Sequence, residues 1–210
     1  MKTHPGISAL IMAAAISAGV LALSTLSAQA AGKPVWSDLG IHNTFLRSFQ
    51  AFNGPEGDGC CGTGYLAGQF SPTASGTLDH LDLALGNYVP YGGLPGTVVA
   101  LVPDAGGLPN ENSTAIETWV VTKLPGYTNG GPAIKVTKLV SKTHPAVTGG
   151  AKYWLVLMPL GYDTVTLWFY NSVNASALQA VSGNGASNAN GNTPWATSTY
   201  LAPAFDVWVQ

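Results

Sequence analysis

Short β-prone runs, separated by Gly, Pro and Asn, recur along this chain from about residue 44 to its last residues. From His80 to Leu85 leucines at positions 81, 83 and 85 alternate with His80, Asp82 and Ala84, which is the period of a strand with one covered face. Helical periodicity is nearly absent beyond the first thirty residues. The pattern predicts an all-β fold, a jelly-roll-like antiparallel β-sandwich with about eight or nine strands.

The predicted strands are bounded by turn formers, as in segments 103–107 and 129–131, whose residues tolerate or preset turn dihedrals. Segment 152–158 is apolar on both faces, which predicts a central strand covered on each side. The Gly-, Asn- and Ser-rich stretch 182–194 cannot bury apolar surface and predicts a flexible loop. The predicted strands are 44–52, 65–70, 77–85, 97–102, 115–122, 133–140, 151–158, 164–170 and 204–209.

The first thirty residues have the pattern of an export leader. A basic start that includes Lys2 precedes an uncharged run of Ala, Ile, Leu, Val, Met and Ser, which ends at Ala28-Gln29-Ala30, small residues of the kind that signal peptidase cuts after. Retention as an uncleaved membrane anchor is the alternative, because the run is nearly long enough to span a bilayer. We predict a signal peptide over 1–30, one domain over 31–210, and no membrane segment after cleavage.

Low charge restricts the partners of the chain. Charged residues make up 9% of it, against about a quarter in typical soluble domains. Without Lys2 its eight basic residues become seven, against ten acidic residues, which gives a net charge of −3. Nucleic acids and anionic membranes require clustered Lys and Arg, so neither is a predicted partner. A surface of Ser, Thr, Asn and Gly is typical of exported β proteins, and we expect the chain in the extracellular medium, at the cell surface or in the periplasm.

The order of core and turn patterns from about Gly68 onward resembles a known family, the bacterial exported β-sandwich domains grouped as "choice-of-anchor" proteins. The resemblance implies a β-sandwich fold and brings no catalytic residues with it. Members often end in a surface-sorting tail, and none is visible after Val209-Gln210, so we expect release rather than anchoring. The patterns are Gly68-Gln69-Phe70, Leu78 to Leu85, Val98 to Pro109, Glu117-Thr118-Trp119, Val147 to Val156, Trp168, Trp195 and Ala204-Phe205-Asp206-Val207.

Cys60 and Cys61 are the two cysteines of the chain, and they are adjacent within a Gly-rich segment. In an oxidising compartment they close a vicinal disulfide ring, stay reduced or link two chains, and the sequence leaves these outcomes open. Consecutive Cα atoms lie about 3.8 Å apart, which strains such a ring, although flanking glycines allow the unusual backbone. A ring there is either a locked turn or, functionally, a rigid platform for a ligand or a redox switch.

Candidate catalytic and metal-binding patterns are weak. His80 and Asp82 are two residues apart on one strand face, where two metal ligands could be adjacent, but no third ligand accompanies them. The sequence instead predicts a solvent-facing ion pair or hydrogen bond between them. No nucleophile elbow, zinc motif or phosphate loop is present. We therefore predict no enzyme activity, no metal site and no cofactor.

Aromatic residues in turn-rich segments carry the prediction of a binding role, because rings stack on the apolar faces of sugars. The alternative is that they fold back over the ends of the sandwich. The candidates for ligand contact are Tyr88, Tyr91, Tyr127, Tyr162 and Trp195.

These observations predict a non-catalytic exported domain that acts at the cell surface, in the matrix or in the periplasm, in binding or in a structural role. A carbohydrate-binding module that uses the loop aromatics is the first alternative. A jelly-roll polysaccharide hydrolase or lyase is the second, since two carboxylates can meet in space without a sequence motif. The predicted partner is a polysaccharide or a surface protein.

Overall fold

A computed structural model describes residues 32–54, 64–88, 96–110, 113–127, 134–161, 164–182 and 195–210 of the chain. The predicted signal peptide, and all of the predicted flexible loop except Ser182, lie outside these residues. Within the described ranges the structure is all-β and contains no helix, which confirms the fold class predicted from the sequence. A search of the same residues finds no helix that could cross a membrane.

Fifteen strands are present in the part of the chain that the structure describes. Their bounds are β1 Lys33–Ser37, β2 Phe45–Asn53, β3 Tyr65–Phe70, β4 Gly76–Leu83, β5 Leu85–Tyr88, β6 Thr97–Pro103, β7 Glu117–Val121, β8 Gly126–Tyr127, β9 Thr137–Val140, β10 Ala146–Val147, β11 Tyr153–Pro159, β12 Val165–Asn171, β13 Ser176–Ser182, β14 Ala196–Leu201 and β15 Phe205–Val209.

The strands form three sheets that together make a β-sandwich. The six-stranded sheet has the order β14-β13-β3-β11-β6-β7. The five-stranded sheet has the order β1-β15-β4-β10, with β9 also pairing β4, and the four-stranded sheet has the order β2-β12-β5-β8. Pairing is antiparallel except between the short strands β5 and β8. Most neighbours are not consecutive in the chain, as expected for jelly-roll-like connections.

The chain passes from the five-stranded to the four-stranded sheet at Ala84, between β4 and β5. Ala84 leaves the ladder of β4, donates its N–H to the carbonyl of Ala204 at 3.1 Å and accepts from the N–H of Phe169 at 3.0 Å. Segment 77–85, predicted as one strand, is therefore two strands in two sheets. Both shorter sheets face the six-stranded sheet and share one core with it.

The main core lies between the inner faces of these sheets. Its largest buried rings and leucines are Trp168, Phe70, Phe205, Leu66, Leu81, Leu83, Leu101 and Leu155. The layers are close together at Gly68 of β3, where an added Cβ would lie 3.3 Å from the ring of Trp168. A larger residue at position 68 would push this ring out of the core.

Segment 152–158 forms β11, the central strand that the sequence predicts, between β3 and β6. Its side chains from Tyr153 to Leu157 are all buried. The expectation that only one face of the 80–85 segment is covered is wrong. His80 and Asp82, on the face opposite the leucines, are buried as well, because Trp208 of β15 stacks on the His80 ring at 5.1 Å between centroids.

Candidate functional site

The candidate site is an open cavity of about 300 Å³ on the outer face of the six-stranded sheet. This face points away from the main core and carries a second apolar cluster. The strands β3, β6 and β11 form the floor, and the loop that follows β6 forms one wall. The lining residues are Tyr65, Ala100, Val102, Pro109, Asn110, Ser113, Ala115, Val156, Met158 and Trp195.

Small side chains leave the space that the cavity occupies. In the strand register Ala180, Ala67, Val156 and Ala100 are neighbours across β13, β3, β11 and β6. All four are buried, and three of them end at Cβ. Of this row Ala100 and Val156 line the cavity, and the short side chain of Ala100 leaves space there.

Asp104, at the end of β6, holds the wall of the cavity in place. Its Oδ1 accepts hydrogen bonds from Nε1 of Trp154 at 2.7 Å and from Nε2 of Gln69 at 2.8 Å. Its Oδ2 accepts a hydrogen bond from the N–H of Gly107 at 2.9 Å, which closes the loop. The two ends of the loop, Asp104 and Pro109, form an isolated β-bridge. The loop is thus tied to the outer face of two strands.

The loop of the wall needs glycine at two positions. Gly106 and Gly107 have φ values of +66° and +91°, in the region that residues with a Cβ rarely adopt. Segment 103–107 is a predicted turn, and its residue types do not indicate that its aspartate anchors the loop to the sheet.

Asp104 is held in its ionised form. Burial opposes ionisation, but the hydrogen bonds from Gly107, Trp154 and Gln69, with the charge of Lys152, outweigh it and lower the pKa of this carboxyl. A carboxylate that is ionised and occupied on both oxygens by donors of its own chain acts as an anchor. General acid catalysis requires the opposite, a raised pKa and a free proton.

Two aromatic rings line the cavity. Tyr65 is 37% exposed, and Trp195, the residue before β14, is half-buried. The indole Nε1 of Trp195 is buried and has no hydrogen-bond partner among the described residues. Polar groups come from Asn110 and Ser113, and the Ser113 hydroxyl donates to the Asn110 carbonyl at 3.0 Å. None of the lining residues that the structure describes is charged.

The structure places the other predicted aromatics elsewhere. Tyr88 and Tyr127 lie 6.4 Å apart by ring centroids, on the outer face of the four-stranded sheet, on the opposite side of the sandwich from Trp195. Both are half-buried, and Tyr127 packs edge-on against Phe49 at 5.4 Å and Phe169 at 5.5 Å. Their rings therefore cover a secondary core. Tyr91, Tyr162, Cys60 and Cys61 lie outside the described residues.

A group of acidic residues lies on the five-stranded sheet, apart from the cavity. Asp206 of β15 is the direct neighbour of Asp82 on β4, and Asp38 follows β1. Asp38 is only 1% exposed, and this burial, with the charge of Asp206, raises its pKa to about 8. Burial, with the charge of Asp82, also raises the pKa of Asp206.

His80 bridges two carboxylates of the same strand. Its Nδ1 lies 2.6 Å from Oδ2 of Asp79, and its Nε2 lies 3.5 Å from Oδ2 of Asp82. The side chains of His80 and Asp82 are only 9% and 12% exposed, so the prediction of a solvent-facing pair is wrong. In the described ranges no three His, Cys, Asp or Glu side chains are arranged to hold a metal ion.

Comparisons of the chain with family models, with curated proteins and with solved structures found no match. The resemblance to the choice-of-anchor proteins therefore stays a prediction from the sequence.

Proposed function

We propose that the chain is a non-catalytic exported binding domain and that the Trp195 cavity holds an uncharged sugar unit of a polysaccharide. The observation that carries the proposal is the combination of two aromatic rings, an apolar floor and the uncharged polar side chains of Asn110 and Ser113. Sugars present apolar C–H faces that stack on rings and hydroxyl groups that hydrogen-bond to amides and hydroxyls. A volume of about 300 Å³ lies at the lower end of small-ligand pockets, which suits one or two sugar rings.

The absence of charge among the described lining residues favours neutral ligands over charged ones. Binding an anionic or cationic ligand in a partly enclosed site requires a compensating charge. Asp104, two residues after the lining residue Val102, is occupied by donors from Gln69, Trp154 and Gly107. A neutral hexose or pentose unit therefore fits the cavity better than a uronic acid or an amino sugar with a free amine.

The distribution of carboxyl groups favours binding over hydrolysis. A glycosidase needs two carboxyls about 5 to 9.5 Å apart on either side of the scissile bond. Among the lining residues that the structure describes, none carries a carboxyl group. Asp38 and Asp206, the described carboxyls with raised pKa values, are buried between β1 and β15, where a polymer cannot reach them.

The proposed location outside the cytoplasm rests on the leader pattern of residues 1–30 and on the low charge of the chain. In the extracellular medium, at the cell surface or in the periplasm, a polysaccharide is an abundant partner.

The test is a binding screen of the mature chain, residues 31–210, against neutral and charged polysaccharides, followed by calorimetry on the best neutral ligand. Trp195→Ala should weaken binding by about tenfold or more, because stacking area is lost. Trp195→Phe should retain most of it, since the ring remains and the indole nitrogen has no partner among the described residues. Tyr88→Ala, on the opposite face, is the control. Binding that survives Trp195→Ala but is lost in Tyr88→Ala would overturn the assignment.

A further inference from the structure

The strand β14 is an exposed and regularly paired edge strand of the six-stranded sheet. In the part of the chain that the structure describes, β13 is its one strand partner, and the pairing is unbroken over six residue pairs from Ser176↔Leu201 to Val181↔Ala196. Its side chains are exposed from Ala196 to Tyr200, on both faces of the sheet. The outer edge of β14 is therefore a regular row of backbone donors and acceptors, open to another strand.

Two other edge strands of the sandwich, β1 and β2, have sequence features that prevent such pairing. β1, at the edge of the five-stranded sheet, contains Lys33 and Pro34 and a register shift between Pro34 and Trp36. β2, at the edge of the four-stranded sheet, contains Arg47 and pairs irregularly near its start. β14 has no charged residue, no proline and no bulge. Charges, prolines and bulges are how soluble β proteins protect their edges, so β14 is unprotected where β1 and β2 are protected.

The sequence of β14 suits pairing with itself. A twofold axis perpendicular to the sheet at Ser198 puts Ser198 opposite Ser198 of the second copy, Thr197 opposite Thr199, and Ala196 opposite Tyr200. Each pair then lies on one face of the joined sheet, with threonine opposite threonine and the smallest side chain opposite the largest. No like charges meet, because the strand is uncharged.

The adjacent segment of the same chain, residues 183–194, has a sequence poorly suited to pairing with the free edge of β14. Residues 183–194 contain Gly, Asn, Ala and Ser with one Thr and one Pro, and no aromatic residue. These residue types are disfavoured in strands, with the exception of Thr.

We propose that two copies of this chain associate through β14, in antiparallel register centred on Ser198, and join their six-stranded sheets into one. The interface is isologous and therefore closes as a dimer. It places the two Trp195 residues near the junction, each directly before the paired strand.

The experiment is sedimentation equilibrium or light scattering on the mature chain, with charge changes at the centre of the interface. Ser198→Lys and Ser198→Glu each put like charges opposite one another and should raise the dimer dissociation constant more than about tenfold. An equimolar mixture of the two variants puts Lys opposite Glu and should restore the dimer. Thr118→Lys, on the exposed face of β7 at the other edge of the same sheet, is the matched control and should leave the dimer unchanged.

Circular dichroism and thermal unfolding first establish that the variants are folded. The proposal is overturned by a wild-type chain that stays monomeric at about 100 µM, a concentration at which even weak interfaces associate. It is also overturned if both single variants dimerise like the wild type, if their mixture stays monomeric, or if Thr118→Lys alone abolishes association.

Discussion

Asp38 and Asp206 each accept a hydrogen bond from the backbone beside the other. Oδ1 of Asp38 accepts from the N–H of Phe205 at 2.6 Å, and Oδ1 of Asp206 accepts from the N–H of Leu39 at 3.2 Å. The pair joins the start of the described chain to its last strand, 167 residues away in sequence. Because both carboxyls are buried, their protonation controls how firmly β1 is held on β15.

The stability of the fold should fall as the pH rises from about 4 to about 8. The pKa of Asp38 is raised from 3.8 to about 8 in the folded chain, so the folded state binds more protons than the unfolded state in that window. The raised pKa of Asp206 acts in the same direction. The stabilisation from Asp38 is complete below pH 4 and is lost as the pH rises through about 8. Urea unfolding of the mature chain at pH 4.5, 6 and 8 measures it, and a free energy that rises over this range would contradict it.

Asp38→Asn should flatten this pH dependence. The amide oxygen keeps the acceptor for the Phe205 N–H, while the group no longer ionises. At pH 8 the variant should be more stable than the wild type by on the order of 1 kcal/mol or more, because no buried charge forms. The same urea series on both proteins gives the comparison. Parallel pH curves for the two proteins would show that Asp38 does not titrate as described.

Asp104→Asn, unlike Asp38→Asn, should lower the stability of the fold at neutral pH. The pKa of Asp104 is lowered, so this carboxylate stabilises the fold above its unfolded pKa and loses that effect as the pH falls through the lower folded value. Removing the charge at pH 7 weakens three hydrogen bonds, to Trp154, Gln69 and Gly107. We expect a loss of about 1.5–3 kcal/mol. Asp104→Glu, which keeps the charge but moves it by one methylene, separates the effect of charge from that of geometry.

Much of the fold is predictable from the sequence because alternation and turn residues act locally. β3, β6 and β11 lie within a residue or two of their predicted bounds, and the burial of β11 on both faces follows from its composition. The strands β13 and β14 were missed. Most of their residues are Ala, Ser or Thr. They are extended because β3 offers β13 a partner from a distant part of the chain, and β13 in turn pairs with β14.

The candidate site is less predictable because its parts meet only in space. Trp195 is identifiable from its turn-rich surroundings, but nothing local distinguishes it from Tyr88 and Tyr127, which pack over another core. Tyr65 was assigned to a strand, and the side on which its ring lies depends on the register with β11 and β13. The role of Asp104 follows from contacts with Gln69 and Trp154, 35 and 50 residues away.

Filling the cavity should abolish sugar binding without removing either ring. Ala100 lies in the floor, 4% exposed, between Val156 and Thr118 in the register. Ala100→Leu extends three carbon atoms into the cavity, where space exists, so stability should change by less than about 1.5 kcal/mol. Binding of the neutral ligand should weaken by about tenfold or more. Ala146→Leu, at the exposed position of β10, is the matched control. Unchanged affinity in Ala100→Leu would place the ligand elsewhere.

The most direct test of the account is a two-dimensional NMR titration of the labelled mature chain with neutral oligosaccharides. Binding in the cavity should shift the indole signal of Trp195 and the backbone signals of Ala100, Val102 and Ser113. The signals of Tyr88 and Tyr127 should stay in place. Shifts confined to those tyrosines, or no shift with any neutral glycan at millimolar concentration, would contradict the proposal that the Trp195 cavity is a sugar-binding site.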